Sequence, residues 1–181
     1  MLLKRGPWKI ISFKNIYKNS WMEVREDKVV RPDGINGIFG VVKIKSGVSV
    51  LPIDDKKNIY LIEQFRYVLG KKTIEVVSGG IENNEKPLDA AKRELKEESG
   101  IEAKEWVDLG KINPLTTIID SVNYLFVVKN LTFLKANPEG TENIKLTKVP
   151  LEKAIDWVMK GLITNSLTAI LILKAKELQN L

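Results

Sequence analysis

The sequence predicts a single mixed α/β domain with a strand-rich N-terminal arm. Three observations lead there. Short, partly alternating apolar segments fill the first half of the chain. One amphipathic helical pattern near the middle is bracketed by glycines, and two further helical patterns close the sequence. At 181 residues the chain is long enough to bury one full core. No internal repeat or low-complexity segment interrupts it. We divide it into an arm over residues 1–45 and a main domain over residues 46–181, with the arm expected against the core or against a second subunit.

The elements follow in order. Trp8 to Phe13 and Trp21 to Val30 read as strands. Arg31-Pro32-Asp33-Gly34 is a turn signal, because proline presets φ and glycine accepts a positive one. Ile38 to Ile44 is then the hairpin partner. Val48 to Ile53 and Ile59 to Ile62 flank the polar turn Asp54-Asp55-Lys56-Lys57-Asn58. Thr73 to Val77 reads as one strand running into Gly79-Gly80. Pro87 suits the first turn of a helix and Gly100 the left-handed position after its last. Leu88, Ala91 and Leu95, at i, i+3 and i+7, predict its buried stripe. Trp106 to Ile112 and Tyr124 to Val128 are strand-like, and a polar loop over 137–142 leads to a strand from Ile144 to Val149. The closing helices span Leu151 to Lys160 and Ser166 to Leu178, the second capped by Asn165 or Ser166.

Composition narrows the chemistry. The chain has no cysteine, which excludes disulfides and thiolate catalysis, and no histidine, which excludes imidazole bases and His-ligated zinc. A metal must therefore be held by oxygen, and a general base is expected to be a carboxylate. The net charge of +6 suits an anionic ligand. It is spread widely, and no basic run is interleaved with aromatics, so a nucleic-acid partner gains little support. No apolar run approaches the ~20 residues needed to span a bilayer. The opening Met1-Leu2-Leu3-Lys4-Arg5-Gly6-Pro7 lacks the order of a signal peptide, so the cytoplasm is the expected compartment.

The segment from Gly79 to Ile101 concentrates the charge chemistry. At about 100° per residue, Glu94 and Glu98 stand one above the other on the central helix, with Glu97 beside them. Three like charges on one face weaken an isolated helix. A cation would reverse that sign, and Mg²⁺ prefers hard carboxylate oxygens together with water and substrate phosphates. A solvated acidic face is the simpler reading of such a helix taken alone. Against it, Glu85 lies just before the helix, Arg93 can orient a carboxylate by a forked hydrogen bond, and Gly79 and Gly80 let backbone approach a ligand closely.

Gly79, Glu85, Arg93, Glu94, Leu95, Glu97, Glu98, Gly100 and Ile101 fill every specified position of the pattern G-x5-E-x7-R-E-U-x-E-E-x-G-U, where U is aliphatic. The chain thereby resembles the Nudix hydrolases. That resemblance implies an α/β/α sandwich with a mixed sheet and the box as a loop-helix-loop at one end. From about Trp21 onward it points to the ADP-ribose pyrophosphatase-like branch. Glu63-Gln64-Phe65-Arg66-Tyr67 looks like that branch's Gln-Phe-Arg segment, and Asp156 to Ile163 is similar too. Arg66 would contact the diphosphate or the sugar, the alternative being a surface arginine at a strand end, and Glu75 would line the site. One departure concerns the branch's marker proline, sixteen residues after the box. Thr117 stands there, and Pro114 comes three residues early. The β-branched run Thr116 to Ile119 favours extended backbone, and a GDP-sugar, a dinucleoside polyphosphate or flavin adenine dinucleotide could replace ADP-ribose.

The resemblance implies Mg²⁺, with Mn²⁺ as a substitute, held by Glu94, Glu97 and Glu98 with the backbone carbonyl of Ser78. It implies a catalytic set of Arg93, Glu97 and a base in a downstream acidic loop, where Glu142 is first choice, Glu139 second and Asp120 third. Gly79, Glu85 and Gly100 would keep the box in shape, and a homodimer is the expected assembly. Two rival readings are a nucleotide-sensing module without turnover and an RNA 5′-end pyrophosphohydrolase.

Overall fold

The computed structural model describes residues 3–136 and 144–178. In chain order the strands are β1 (Leu3–Arg5), β2 (Trp8–Lys18), β3 (Met22–Val30), β4 (Asn36–Ile44), β5 (Gly47–Pro52), β6 (Asn58–Arg66), β7 (Lys71–Glu75), β8 (Val77–Gly80), β9 (Ile101–Ile112), β10 (Ile119–Asp120), β11 (Asn123–Phe133) and β12 (Lys145–Pro150). The helices are α1 (Pro87–Ser99), α2 (Leu151–Met159) and α3 (Ser166–Glu177). The chain divides into two units, Met1–Ser46 with Asn113–Val122, and Gly47–Ile112 with Asn123–Leu181.

The first unit is a five-stranded sheet in the order β1-β2-β3-β4-β10. Its strands are antiparallel except that β10 runs parallel to β4. The β3–β4 hairpin turns at the expected tetrapeptide: Gly34 has φ 85° and its N–H donates to the Arg31 carbonyl at 2.9 Å. β2 runs five residues beyond the expected Phe13. Register shifts at Ile10/Ser12 and Asn15/Tyr17 break its alternation, which hides the continuation from a period-two reading. The expected extended backbone at Thr116–Ile119 needs correction as well. Thr116 to Ile118 form a turn, with the N–H groups of Ile118 and Ile119 both donating to the Leu115 carbonyl, and only Ile119 and Asp120 pair with β4. The turn carbonyl competes successfully with β-branched preference, which is a weak local bias.

The second unit holds two sheets, β8-β5-β11-β9 and β12-β6-β7. In the first, β5 and β11 are parallel and the other pairings antiparallel. Both faces of this sheet are covered, which is why β5 and β11 read as near-continuous apolar runs. Val48, Val50, Val77, Phe126 and Val128 pack with Ala90, Ala91 and Leu95 of α1. The alternate residues Leu51, Leu125 and Val127 pack with Leu151, Ala154 and Ile155 of α2 and with Leu171, Ile172 and Ala175 of α3. Helix, sheet and helix therefore form the layers of an α/β/α sandwich.

Three local expectations change. Leu88 is 37% exposed, and α1 buries Ala90, Ala91, Leu95 and Glu98, so its hidden stripe is rotated toward the carboxylates. Thr73 to Val77 is not one strand. β7 ends at Glu75, β8 begins at Val77, and the two belong to different sheets. Val76 between them gives its N–H to the Thr168 hydroxyl of α3 at 3.0 Å. Finally, β9 begins at Ile101, because Ile101 to Glu105 pair with Lys129 to Phe133 despite their charged, helix-favouring composition. No helix among the described residues is long and apolar enough to cross a membrane.

Candidate active site

The α1 helix begins and ends as its punctuation requires. Pro87 occupies the first turn, where a missing N–H costs nothing, and Gly100 closes the helix with φ 67° and its N–H on the Lys96 carbonyl at 2.9 Å. A β-carbon at position 100 would run into the carbonyl of Leu134, whose own N–H donates to the Gly100 carbonyl at 2.7 Å. Glycine is needed there for both conformation and space.

Arg93 organises the acidic residues around it. Its Nε and Nη2 fork onto Glu85 at 2.9 and 3.0 Å, and Nη2 also donates to the Gly80 carbonyl at 2.9 Å. Nη1 donates to Glu94 at 2.7 Å and to Glu97 at 3.2 Å. Glu85 in turn accepts the backbone N–H of Glu82 at 2.9 Å. One guanidinium thus ties the loop after β8 to two carboxylates of the helix. The fork from Arg93, assisted by the Glu82 N–H, holds the Glu85 carboxyl down at about 2. The same hydrogen bond, with those to Glu94 and Glu97, raises Arg93 above its usual range, although burial opposes this.

The remaining carboxylates meet the backbone of β8. Glu98 is buried and accepts the Ser78 N–H at 3.2 Å. The Glu94 carboxylate lies directly over the Cα of Gly79, filling the space of an absent β-carbon. Ser78 and Ser49 hydroxyls are hydrogen-bonded at 2.9 Å. Side-chain exposure falls from 41% at Glu97 to 14% at Glu94, so this is not a uniformly solvated acidic face.

A hard divalent cation fits this donor set, because its side-chain oxygens are carboxylates and the glycine backbone lets Glu94 come close. Among the described residues, no three acidic side chains already stand as a ready metal cage. Glu94 and Glu97 are held on Arg93 instead.

A second polar group sits where β6, β7 and α3 meet. Arg66 forks onto the buried Glu75, with Nε to Oε1 at 3.1 Å and Nη2 to Oε2 at 2.7 Å. Glu75 also accepts from Thr73 Oγ1 at 2.6 Å and from Asn165 Nδ2 at 3.2 Å. The structure therefore brings together Glu85, Arg93, Glu94 and Glu97, brings Ser78 to Glu98, and pairs Arg66 with Glu75. Asp120 lies in the first unit and pairs with Arg5 at 3.8 Å. Glu139 and Glu142 lie outside the described residues. Thr73, Asn165 and Thr168 escape the sequence reading as members of this group. The one available signal was Asn165 as a helix cap, which says nothing about its other face.

Comparison with known proteins places the chain in a family. Residues 43–163, about two-thirds of the chain, match the NUDIX domain, and residues 8–42 match the nucleoside diphosphate sugar hydrolase N-terminal domain. The chain belongs to the Nudix hydrolase family, and it is an enzyme of the pyrophosphatase class. Nudix hydrolases work with a divalent metal ion. A methanol dehydrogenase activator of Bacillus methanolicus is 28% identical over 169 residues, covering 91% of this chain and 90% of that one. An ADP-ribose pyrophosphatase of Bacillus subtilis is 28% identical over 173 residues, covering 93% and 94%. The crystal structure of an ADP compounds hydrolase shares the fold with a TM-score of 0.83 at 16% identity, covering 97% of this chain and 95% of the other.

Proposed function

We propose that this enzyme hydrolyses the diphosphate bond of nucleoside diphosphate sugars in a Mg²⁺-dependent reaction, with ADP-ribose as the first substrate to test. The observation that carries the reading is the Arg93 clamp, which gathers Glu85, Glu94 and Glu97 around the backbone of Gly80 while Glu98 holds Ser78. A related ADP-ribose pyrophosphatase that spans nearly the whole chain supports the substrate class.

In this reading Glu94, Glu97 and Glu98, with the Ser78 carbonyl, hold the cation, for which Mn²⁺ can substitute. When bound, the cation would neutralise phosphoryl charge and acidify water. Arg93 and Glu85 keep the loop and helix in register, and Gly79 and Gly100 give them their close packing. Arg66, two-fifths exposed beyond its fork to Glu75, grips the diphosphate. A carboxylate takes the proton of the attacking water, with Glu142 preferred over Glu139 and Asp120. Water adds to one phosphorus and the bridging P–O bond breaks, giving a nucleoside monophosphate and a sugar phosphate.

Residues 1–45 form the N-terminal arm of this reading and residues 46–181 its hydrolase domain. The arm serves as the contact of a homodimer. Ile11, Phe13, Ile16 and Ile38 of the first unit are each at least half exposed, apolar side chains that a second copy would cover. A cytoplasmic location suits a cysteine-free chain. The reading is tested by incubating the protein with ADP-ribose with Mg²⁺ or with a chelator, and identifying products by mass. AMP and ribose 5-phosphate formed only with Mg²⁺ are expected. Intact ADP-ribose under both conditions would overturn the assignment.

A further inference from the structure

Glu75 has no acceptor capacity to spare. An ionised carboxylate offers about four lone-pair directions, and four donors occupy this one. Oε1 takes Arg66 Nε and Thr73 Oγ1, and Oε2 takes Arg66 Nη2 and Asn165 Nδ2. The residue is 3% exposed, so neither water nor a substrate hydroxyl has a place on it. The orientation of Asn165 is fixed from its other side. Its Oδ1 accepts the Thr168 N–H at 2.9 Å and the Thr168 hydroxyl at 3.0 Å, and that hydroxyl accepts the Val76 N–H at 3.0 Å. The Asn165 amide is therefore divided between two tasks. Oxygen caps α3, and nitrogen fastens the carboxylate on which Arg66 rests.

We propose that Asn165 is a positioning residue for Arg66, acting through Glu75, and that Glu75 itself does not touch substrate. This rests on the reading that Arg66 grips the diphosphate. The Asn165–Glu75 bond stops the carboxylate from turning about its last torsion, so the guanidinium on its far side keeps one direction. Thr168 ties the same cap to Val76, the residue where the chain passes from β7 to β8 and on toward Ser78.

The test uses two exchanges that retain an N-cap oxygen, since aspartate and serine cap helices about as well as asparagine. Asn165→Asp replaces the donor with an oxygen facing Glu75, and Asn165→Ser removes the donor without adding charge. Both are expected to raise KM for ADP-ribose on the order of tenfold or more, with kcat changed less. In ¹⁵N-labelled protein without substrate, the Arg66 Nε–H should exchange with solvent faster in both variants than in the native enzyme. A native-like KM together with an unchanged Arg66 Nε–H in Asn165→Ser would overturn the proposal, because Asn165 would then be a cap alone. A loss of kcat at constant KM would overturn it too. If the native enzyme leaves ADP-ribose intact, the substrate reading fails, and the Nε–H exchange still decides whether Asn165 holds Arg66.

Discussion

The carboxylate of Glu94 lies against the α-carbon of Gly79, in the volume a side chain at position 79 would need. Fifteen positions apart in sequence, the two residues meet because β8 and α1 pack around the loop that Arg93 and Glu85 close. Gly79→Ala is therefore expected to push Glu94 off its place without altering any charge. Activity should fall on the order of 10²-fold, the usual loss when transition-state charge is no longer matched. More Mg²⁺ should be needed for half-maximal rate. Steady-state kinetics across a Mg²⁺ titration check both points, and activity within a few-fold of native would place the cation elsewhere.

Glu98→Gln separates charge from shape at the neighbouring position. The exchange keeps an oxygen for the Ser78 N–H and removes one negative charge from the acidic set. Turnover should drop on the order of 10²-fold or more, while the cooperative thermal transition stays near that of the native protein. Circular dichroism melting beside the Mg²⁺-dependent assay distinguishes this from simple unfolding.

Acid should act on the clamp through Glu85. Its carboxyl is lowered from 4.5 to about 2 by the Arg93 fork and the Glu82 N–H. A group depressed in the folded state stabilises it fully above the unfolded value, here 4.5, and loses that contribution as pH falls toward 2. The melting temperature should therefore decline across this window, and more steeply in the native protein than in Glu85→Gln, which has no proton to take up. Parallel slopes for the two proteins between pH 4.5 and 2 would mean that the fork contributes nothing to stability.

How much of this was legible depends on how far apart the partners lie. The box could be read directly because its helix is local: Pro87 and Gly100 mark its ends, and the spacing of Glu94, Glu97 and Glu98 fixes their shared face. The stripe failed at Leu88, since the burial of Glu98 turns the helix, and no apolar periodicity reports a buried carboxylate. The β7–β8 break was invisible because the group satisfying Val76 is Thr168, 92 residues away. Arg66 and Glu75 each stood out in the sequence, but their pairing did not, and neither did the amide of Asn165 that completes it. Local punctuation survives in sequence; a hydrogen bond between distant elements leaves no spacing to read.

The composition confines the general base. With no histidine or cysteine in the chain, the proton of the attacking water is expected to pass to a carboxylate. Glu97 and Glu94 share Arg93, Glu98 holds Ser78, and Glu75 has its acceptor directions filled, so each already has a task. The sequence-based candidates are Glu142 and Glu139, which lie outside the described residues, and Asp120 of β10, whose Arg5 contact at 3.8 Å is long and more than half exposed. Glu142→Gln should lower kcat on the order of 10² to 10⁴-fold, the usual contribution of a positioned base, with the Mg²⁺ requirement unchanged. Glu139→Gln and Asp120→Asn should each remain within a few-fold of native. The decisive measurement is kcat for all three variants at saturating ADP-ribose and Mg²⁺. A silent Glu142→Gln beside a crippled Asp120→Asn would move the base to β10, just after the turn that follows Pro114, and with it the part of the chain that orients water.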